Sequence, residues 1–233
     1  MTNNEETQLE TTTEDLIALH KGRAAEYGLL SRLFRREVDA ELLQALHDQL
    51  YQVSTGNSNV DEGNRLIATY LSGLWENTET ELAADYMRVF FGHGYSGHSA
   101  AYPYESIYAS EKRLLMASAR DEVLALYRAA GLDKDESWKE SEDHVSLELE
   151  YLQILAMRTE DALREDDERR VKKLLKSQLN FLDDHLGAWL PLLANDVREF
   201  AQTDFYRGLS YLADGFVEAD HELLAELLDK KKD

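Results

Sequence analysis

His144 and Glu148 stand four residues apart in the segment Ser141-Glu142-Asp143-His144-Val145-Ser146-Leu147-Glu148. That spacing puts an imidazole and a carboxylate on one face of a helix, where together they could hold a divalent ion. Two ligands are too few, and no third follows at metal-site spacing. The other reading is that His144 fastens the preceding segment to the helix through hydrogen bonds. A helical di-iron centre needs two Glu-x-x-His pairs and two more glutamates. The chain offers one such pair, Glu218 with His221, among ordinary surface charges near its C-terminus. Neither a phosphate-cradling glycine loop nor a G-x-S-x-G elbow occurs. The absence of cysteine excludes disulfides, thiolate metal sites and cysteine nucleophiles.

A second cluster has recognition chemistry instead. Tyr102-Pro103-Tyr104-Glu105-Ser106-Ile107-Tyr108 puts three tyrosines and a proline where a long loop meets a helix. Rigid rings with polar tips suit a peptide-binding groove. The loop before it, Gly92 to Pro103, carries three glycines, two histidines (His93 and His98) and two tyrosines. The two clusters lie on either side of a charged stretch and could line one cleft.

Helices must position both. A capping box at Thr11 and Glu14 opens the first, whose apolar face runs from Leu16 to Phe34. Further helical patterns cover Val38–Leu50, Leu66–Leu74, Leu82–Phe90, Ser106–Ala130 with Gly131 as its C-cap, Val145–Leu155, Val171–Leu182, Trp189–Phe200 and Phe205–Leu228. Ser141 is placed to cap the helix that holds His144, with Glu142 and Asp143 in its first turn. No period-2 strand pattern and no internal repeat emerges. The expectation is an all-α fold of about ten helices in two lobes. Residues 1–12 form an acidic flexible tail, 13–130 an N-terminal lobe, 131–141 a hinge linker and 142–233 a C-terminal lobe.

Composition restricts the partners. The chain has 233 residues and a formal charge of −21. A surface of that sign repels nucleic acid and anionic membranes and attracts cationic polypeptide. The polar, acidic N-terminus has no basic region followed by an apolar run, so no signal or transit peptide is expected, and the protein is placed in the cytoplasm. No apolar stretch approaches a membrane span.

At these residues the sequence resembles the TorD/DmsD/NarJ-type redox enzyme maturation chaperones, from about Arg23 to Asp220. Arg23-x-x-x-Tyr27-x-x-Leu30 followed by Leu33-Phe34 is similar to that family's opening helix. Tyr86-x-Arg88-Val89-Phe90-x-Gly92 and Pro103-Tyr104-Glu105-Ser106-Ile107-Tyr108 are similar to two further segments, and Asp143-His144-x-x-x-Glu148-Leu149 to its hinge motif. Phe181-x-x-x-His185-Leu186-x-x-Trp189-x-Pro191 and Phe205-Tyr206 complete the order. Ser141 stands where the family's hinge motif has proline; a serine can cap the helix but leaves the linker freer.

The resemblance implies a chaperone of the two-lobed helical fold, without enzymatic turnover or cofactor of its own, serving enzymes of anaerobic respiration. Its partner would be the catalytic subunit of a molybdenum-containing reductase or dehydrogenase. The chaperone would bind the subunit's twin-arginine leader, or the apo-form, and delay export until the cofactor is inserted. Carried over residue by residue, the signal-peptide contacts are Tyr86, Val89, Phe90, Pro103, Tyr104, Glu105, Ser106, Tyr108, Asp143 and His144. Ser141, Glu148, His185 and Trp189 have hinge or structural roles. Asp143 and Glu105 would pair with arginines, while Phe90, Tyr104 and Tyr108 would cover the apolar part. A monomer or a domain-swapped dimer is expected. Two other readings are an acidic adaptor that docks a mature reductase subunit independently of its leader, and a helical metal- or nucleotide-dependent enzyme using His144 and Glu148.

Overall fold

A computed structural model describes residues 12–49, 54–92, 100–109, 118–135 and 137–229. Among them are ten α-helices: α1 (Thr13–Arg35), α2 (Ala40–Asp48), α3 (Ser58–Leu71), α4 (Thr78–Phe90), α5 (Glu105–Ala109), α6 (Ser118–Ala129), α7 (Val145–Arg164), α8 (Glu168–Phe181), α9 (Gly187–Phe200) and α10 (Asp204–Asp229). A π-helical turn, Leu182–Leu186, joins α8 directly to α9. The fold is all-α, with a single bridge pair at Tyr104 and His144 as the extended pairing among the described residues. The tail residues 1–11 and the loop histidines His93 and His98 lie outside the described residues.

The caps explain several boundaries. The opening capping box is made by Thr12 and Asp15, one residue later than Thr11 and Glu14. Asp15 N donates to the Thr12 hydroxyl at 3.2 Å and Thr12 N donates to the Asp15 carboxylate at 3.0 Å. Both registers put an acid three residues after a threonine, so the local pattern alone does not choose between them. Asn57 caps α3 through Asn59 N and Val60 N, which starts that helix well before Leu66. Gly131 has φ 72°, and the following amide of Leu132 returns to Tyr127 O at 2.9 Å, as expected of a left-handed helix end. Asp166 takes the same region, φ 57°, in the turn between α7 and α8.

Helix α1 lies along α7, and α3 along α10. Residues from both sides of the 131–141 segment therefore pack on each other. One buried cluster contains Tyr27, Leu30 and Phe34 of α1, Tyr86 and Phe90 of α4, Leu149 and Leu152 of α7, and Phe205 and Tyr206 of α10. The α3–α10 contact is close because glycines face each other. A Cβ on Gly63 would lie 2.6 Å from Leu212 N, and one on Gly208 2.8 Å from Gly63 O.

Two buried polar ties set the register of these helices. Arg23 of α1 makes a two-pronged bond to Asp220 of α10, Nε to Oδ1 at 2.5 Å and Nη2 to Oδ2 at 2.8 Å. Tyr27 OH donates to the same carboxylate at 2.6 Å, and Arg23 also reaches Gln178 of α8 at 2.8 Å. Asp85 of α4 accepts from Thr203 N and Thr203 Oγ1, both at 2.7 Å, and so holds the α9–α10 turn. Arg23 and Tyr27 are thus part of the framework.

Candidate functional site

The segments bearing the two sequence clusters are stitched together edge to edge. Val145 N donates to Pro103 O at 2.9 Å, Glu105 N to Asp143 O at 3.0 Å, and Ser106 N to the Asp143 carboxylate at 3.0 Å. Short α5 thus has a first-turn amide satisfied by a carboxylate nearly forty residues later in the chain. Ser141 donates its hydroxyl to Asp143.

Ser141 is therefore not the cap of α7, which begins at Val145. The cap is His144, whose Nδ1 accepts from Ser146 N at 3.1 Å. Asp143 already occupies the Ser141 hydroxyl, and the chain turns once more before the helix starts. Glu142 does not serve the helix dipole either. It binds Arg120 Nε at 2.5 Å and Lys134 Nζ at 3.0 Å. Burial alone would raise its pKa, but these two cations hold it down at about 2. They also tie the 131–141 segment to α6 and to the turn before α7.

Beneath this junction lies a buried acid–base group. His185, on the π-helical turn, approaches the Glu105 carboxylate with Nδ1 at 3.1 and 3.2 Å. Burial disfavours the imidazolium, but Glu105 outweighs it and raises the His185 pKa. Trp189 Nε1 donates to Glu148 Oε2 at 2.9 Å. Glu148 is fully buried; the lost hydration and the nearby Glu105 charge push its carboxyl well above the usual range. Tyr108 stacks on Trp189 at 5.5 Å between centroids and donates its hydroxyl to Asp196 at 2.9 Å. His144 is likewise buried, and burial, followed by the Arg35 charge, pushes its pKa down to about 3. With Nδ1 accepting from an amide, the neutral imidazole carries its proton on Nε2.

Neither metal reading gains support. The His144 Nδ1 and the Glu148 Oε2 are taken by Ser146 and Trp189, and His221 pairs with Asp183 at 2.6 Å. No group of three or more His, Asp or Glu among the described residues is placed to hold a metal ion.

Five of the expected contact residues, Tyr86, Phe90, Pro103, Tyr104 and His144, line one cleft of about 280 Å³. Tyr102, Phe91, Arg35, Trp138 and Glu140 complete it. Val89, Glu105, Ser106 and Asp143 are buried behind it, and Tyr108 lies against Trp189. The carboxylates expected to meet arginine, Glu105 and Asp143, are engaged internally. The acid at the cleft is Glu140, which accepts from the Tyr104 hydroxyl.

Two further clefts adjoin it. One of about 440 Å³ runs between residues 132–135, Ser137 and Trp138 on one side and α7 on the other, with Leu132, Trp138, Leu147, Tyr151 and Ile154 as its apolar lining. Another, of about 430 Å³, contains Val38, Tyr86, Met87 and Phe91. Met87 and Phe91 are about half exposed and put two large apolar side chains side by side at this cleft. Trp138, a lone indole in a charged stretch, carries the signal that could have found it. Arg35 had no local signal.

The chain belongs to the TorD/DmsD/NarJ-type redox enzyme maturation chaperone family: it matches the nitrate reductase delta subunit family over residues 56–195. It is 31% identical over 223 residues to the chaperone protein TorD of Shewanella oneidensis, covering 91% of this chain and 95% of the relative. It is 28% identical to TorD of Aliivibrio salmonicida over 91% of this chain and 98% of the relative. With TorD of Vibrio cholerae serotype O1 it shares 27% identity over 93% of the chain and 98% of the relative. No helix among the described residues is long and apolar enough to cross a membrane.

Proposed function

We propose that this protein is a cytoplasmic chaperone that holds the twin-arginine leader, the apo-form, or both, of a molybdenum-containing oxidoreductase until the cofactor is inserted, without turnover of its own. The observation that carries the reading is the convergence of Tyr86 and Phe90, Pro103 and Tyr104, and His144 on one aromatic cleft. These residues come from three separate motifs, the last of them forty residues beyond the second. A polypeptide needs an apolar, partly open surface with a few polar groups to fix its register, and the cleft supplies both. In this reading residues 131–141 are the hinge linker that joins the segments 13–130 and 142–233, with Trp138 and Glu140 at the cleft. The charge of −21 speeds the encounter with a cationic leader and makes it salt-sensitive.

Calorimetry with a synthetic twin-arginine leader tests this. Binding is expected to weaken with salt and to fall about tenfold in Tyr104→Ala, where a half-buried ring at the cleft is lost. Circular dichroism should show an unchanged fold. Equal affinity in wild type and Tyr104→Ala would place the leader elsewhere.

A further inference from the structure

Arg35, the last residue of α1, lines all three adjoining clefts, and Trp138 lines two of them. The Arg35 guanidinium lies 4.9 Å from the centroid of the Trp138 ring, and its Nη2 donates to Glu150. A planar cation on an indole face with a carboxylate at its edge is the arrangement that recognises arginine in preference to lysine.

The arrangement is also unfinished. Arg35 Nε and Trp138 Nε1 are both buried and have no acceptor among the described residues. Buried donors without partners cost free energy, so a permanent structural contact would be expected to satisfy them. The side chains of Arg35 and Glu150 are 33% and 37% exposed, so their ion pair is within reach of solvent and exchangeable. Asp133, Asp135 and Lys134, the last paired with Glu142, line the same cleft beside the apolar floor of Leu132, Leu147 and Ile154.

We propose that Trp138 and Glu150 form the seat for an arginine side chain of the bound polypeptide, and that Arg35 is a stand-in that occupies it until the partner arrives. The proposal rests on reading these clefts as a polypeptide site. An incoming arginine takes over the Glu150 carboxylate and the Trp138 face, while its neighbouring backbone carbonyl supplies the acceptor that Trp138 Nε1 lacks. Displacing Arg35 removes the wall between the clefts and joins them into one groove, with apolar residues of the partner on the floor beside α7.

Calorimetry would use a peptide with two consecutive arginines before an apolar stretch, and the same peptide with lysines in their place. Arg35→Ala is expected to bind the arginine peptide about tenfold more tightly than wild type, since the competitor is gone. The lysine peptide should change little, and Glu150→Gln and Trp138→Leu should each weaken the arginine peptide. A folded Arg35→Ala with unchanged or weaker affinity overturns the stand-in. If the arginine peptide binds neither wild type nor Arg35→Ala, the polypeptide reading fails and the seat is judged separately. N-acetyl-arginine methylamide added to Arg35→Ala should then shift the Trp138 indole N–H resonance, and Glu150→Gln in the same background should abolish the shift. No shift in Arg35→Ala overturns the seat.

Discussion

The backbone amide of Ser106 donates to the carboxylate of Asp143 at 3.0 Å, and both residues are completely buried. This bond, with Glu105 N to Asp143 O, aligns the proline–tyrosine segment with the turn before α7. With Val145 N to Pro103 O, these bonds bring Tyr104 and His144 to one cleft.

Asp143→Ala therefore acts first on stability. It leaves the Ser106 amide and the Ser141 hydroxyl without their acceptor in a dry site, at a cost of about 2–3 kcal/mol. Chemical denaturation should show that loss. Asp143→Asn keeps a carbonyl oxygen and should lose less.

Glu148 makes the protein sensitive to rising pH. Its folded pKa is raised by burial and by the Glu105 charge, so the folded state holds a proton that the unfolded state releases. Stability from this group is intact below about pH 4.5 and declines as pH rises toward the folded pKa. Glu148→Gln keeps an acceptor for Trp189 Nε1 and has no proton to lose. Its stability relative to wild type should grow with pH above 4.5 in denaturant titrations run at several pH values. A constant difference would show that Glu148 is ionised in the fold.

His144 acts in the opposite direction. Burial and Arg35 push its pKa down to about 3, whereas the unfolded side chain titrates near 6.5. Above pH 6.5 it is neutral in both states. Below that the unfolded chain gains a proton that the folded chain refuses, so stability falls on the order of 1 kcal/mol per pH unit until about pH 3. His144→Asn keeps a capping side chain and should flatten this part of the acid limb. His144→Ala should in addition lose about 1 kcal/mol at neutral pH for the missing cap.

Arg23 and Asp220 form a buried ion pair joining α1 to α10, with Tyr27 on the same carboxylate. Removing one member strands the other charge. Arg23→Met and Asp220→Asn should each cost about 3–5 kcal/mol in thermal or denaturant unfolding. The double variant should cost less than the two single losses together, because no charge is left unpaired.

Much of the fold was readable in the sequence because helices report themselves locally. The 3.6-residue spacing along Leu16–Phe34, Leu82–Phe90 and Val171–Leu182 marked α1, α4 and α8, and Gly131 marked the end of α6. Boundaries shifted where side chains competed for one role, as with Thr11 against Thr12 and Ser141 against His144. The continuous path from α8 through the π-helical turn into α9 had no local sign beyond Gly187 and Pro191.

The sequence by itself determined that this is an acidic helical chain with its family's ordered motifs, because periodicity, charge and motif order are properties of neighbouring residues. Which motif residues meet at a surface was decided only by tertiary structure. Glu105 and Asp143 read as acids available to a cationic partner, yet α5, α7 and the π-helical turn close around them and bind them to His185 and Ser106. Arg35 is far in sequence from Trp138 and Glu150 and meets them because α1 lies along α7 while Trp138 comes over both. Long-range packing of this kind leaves no mark in a short window of sequence.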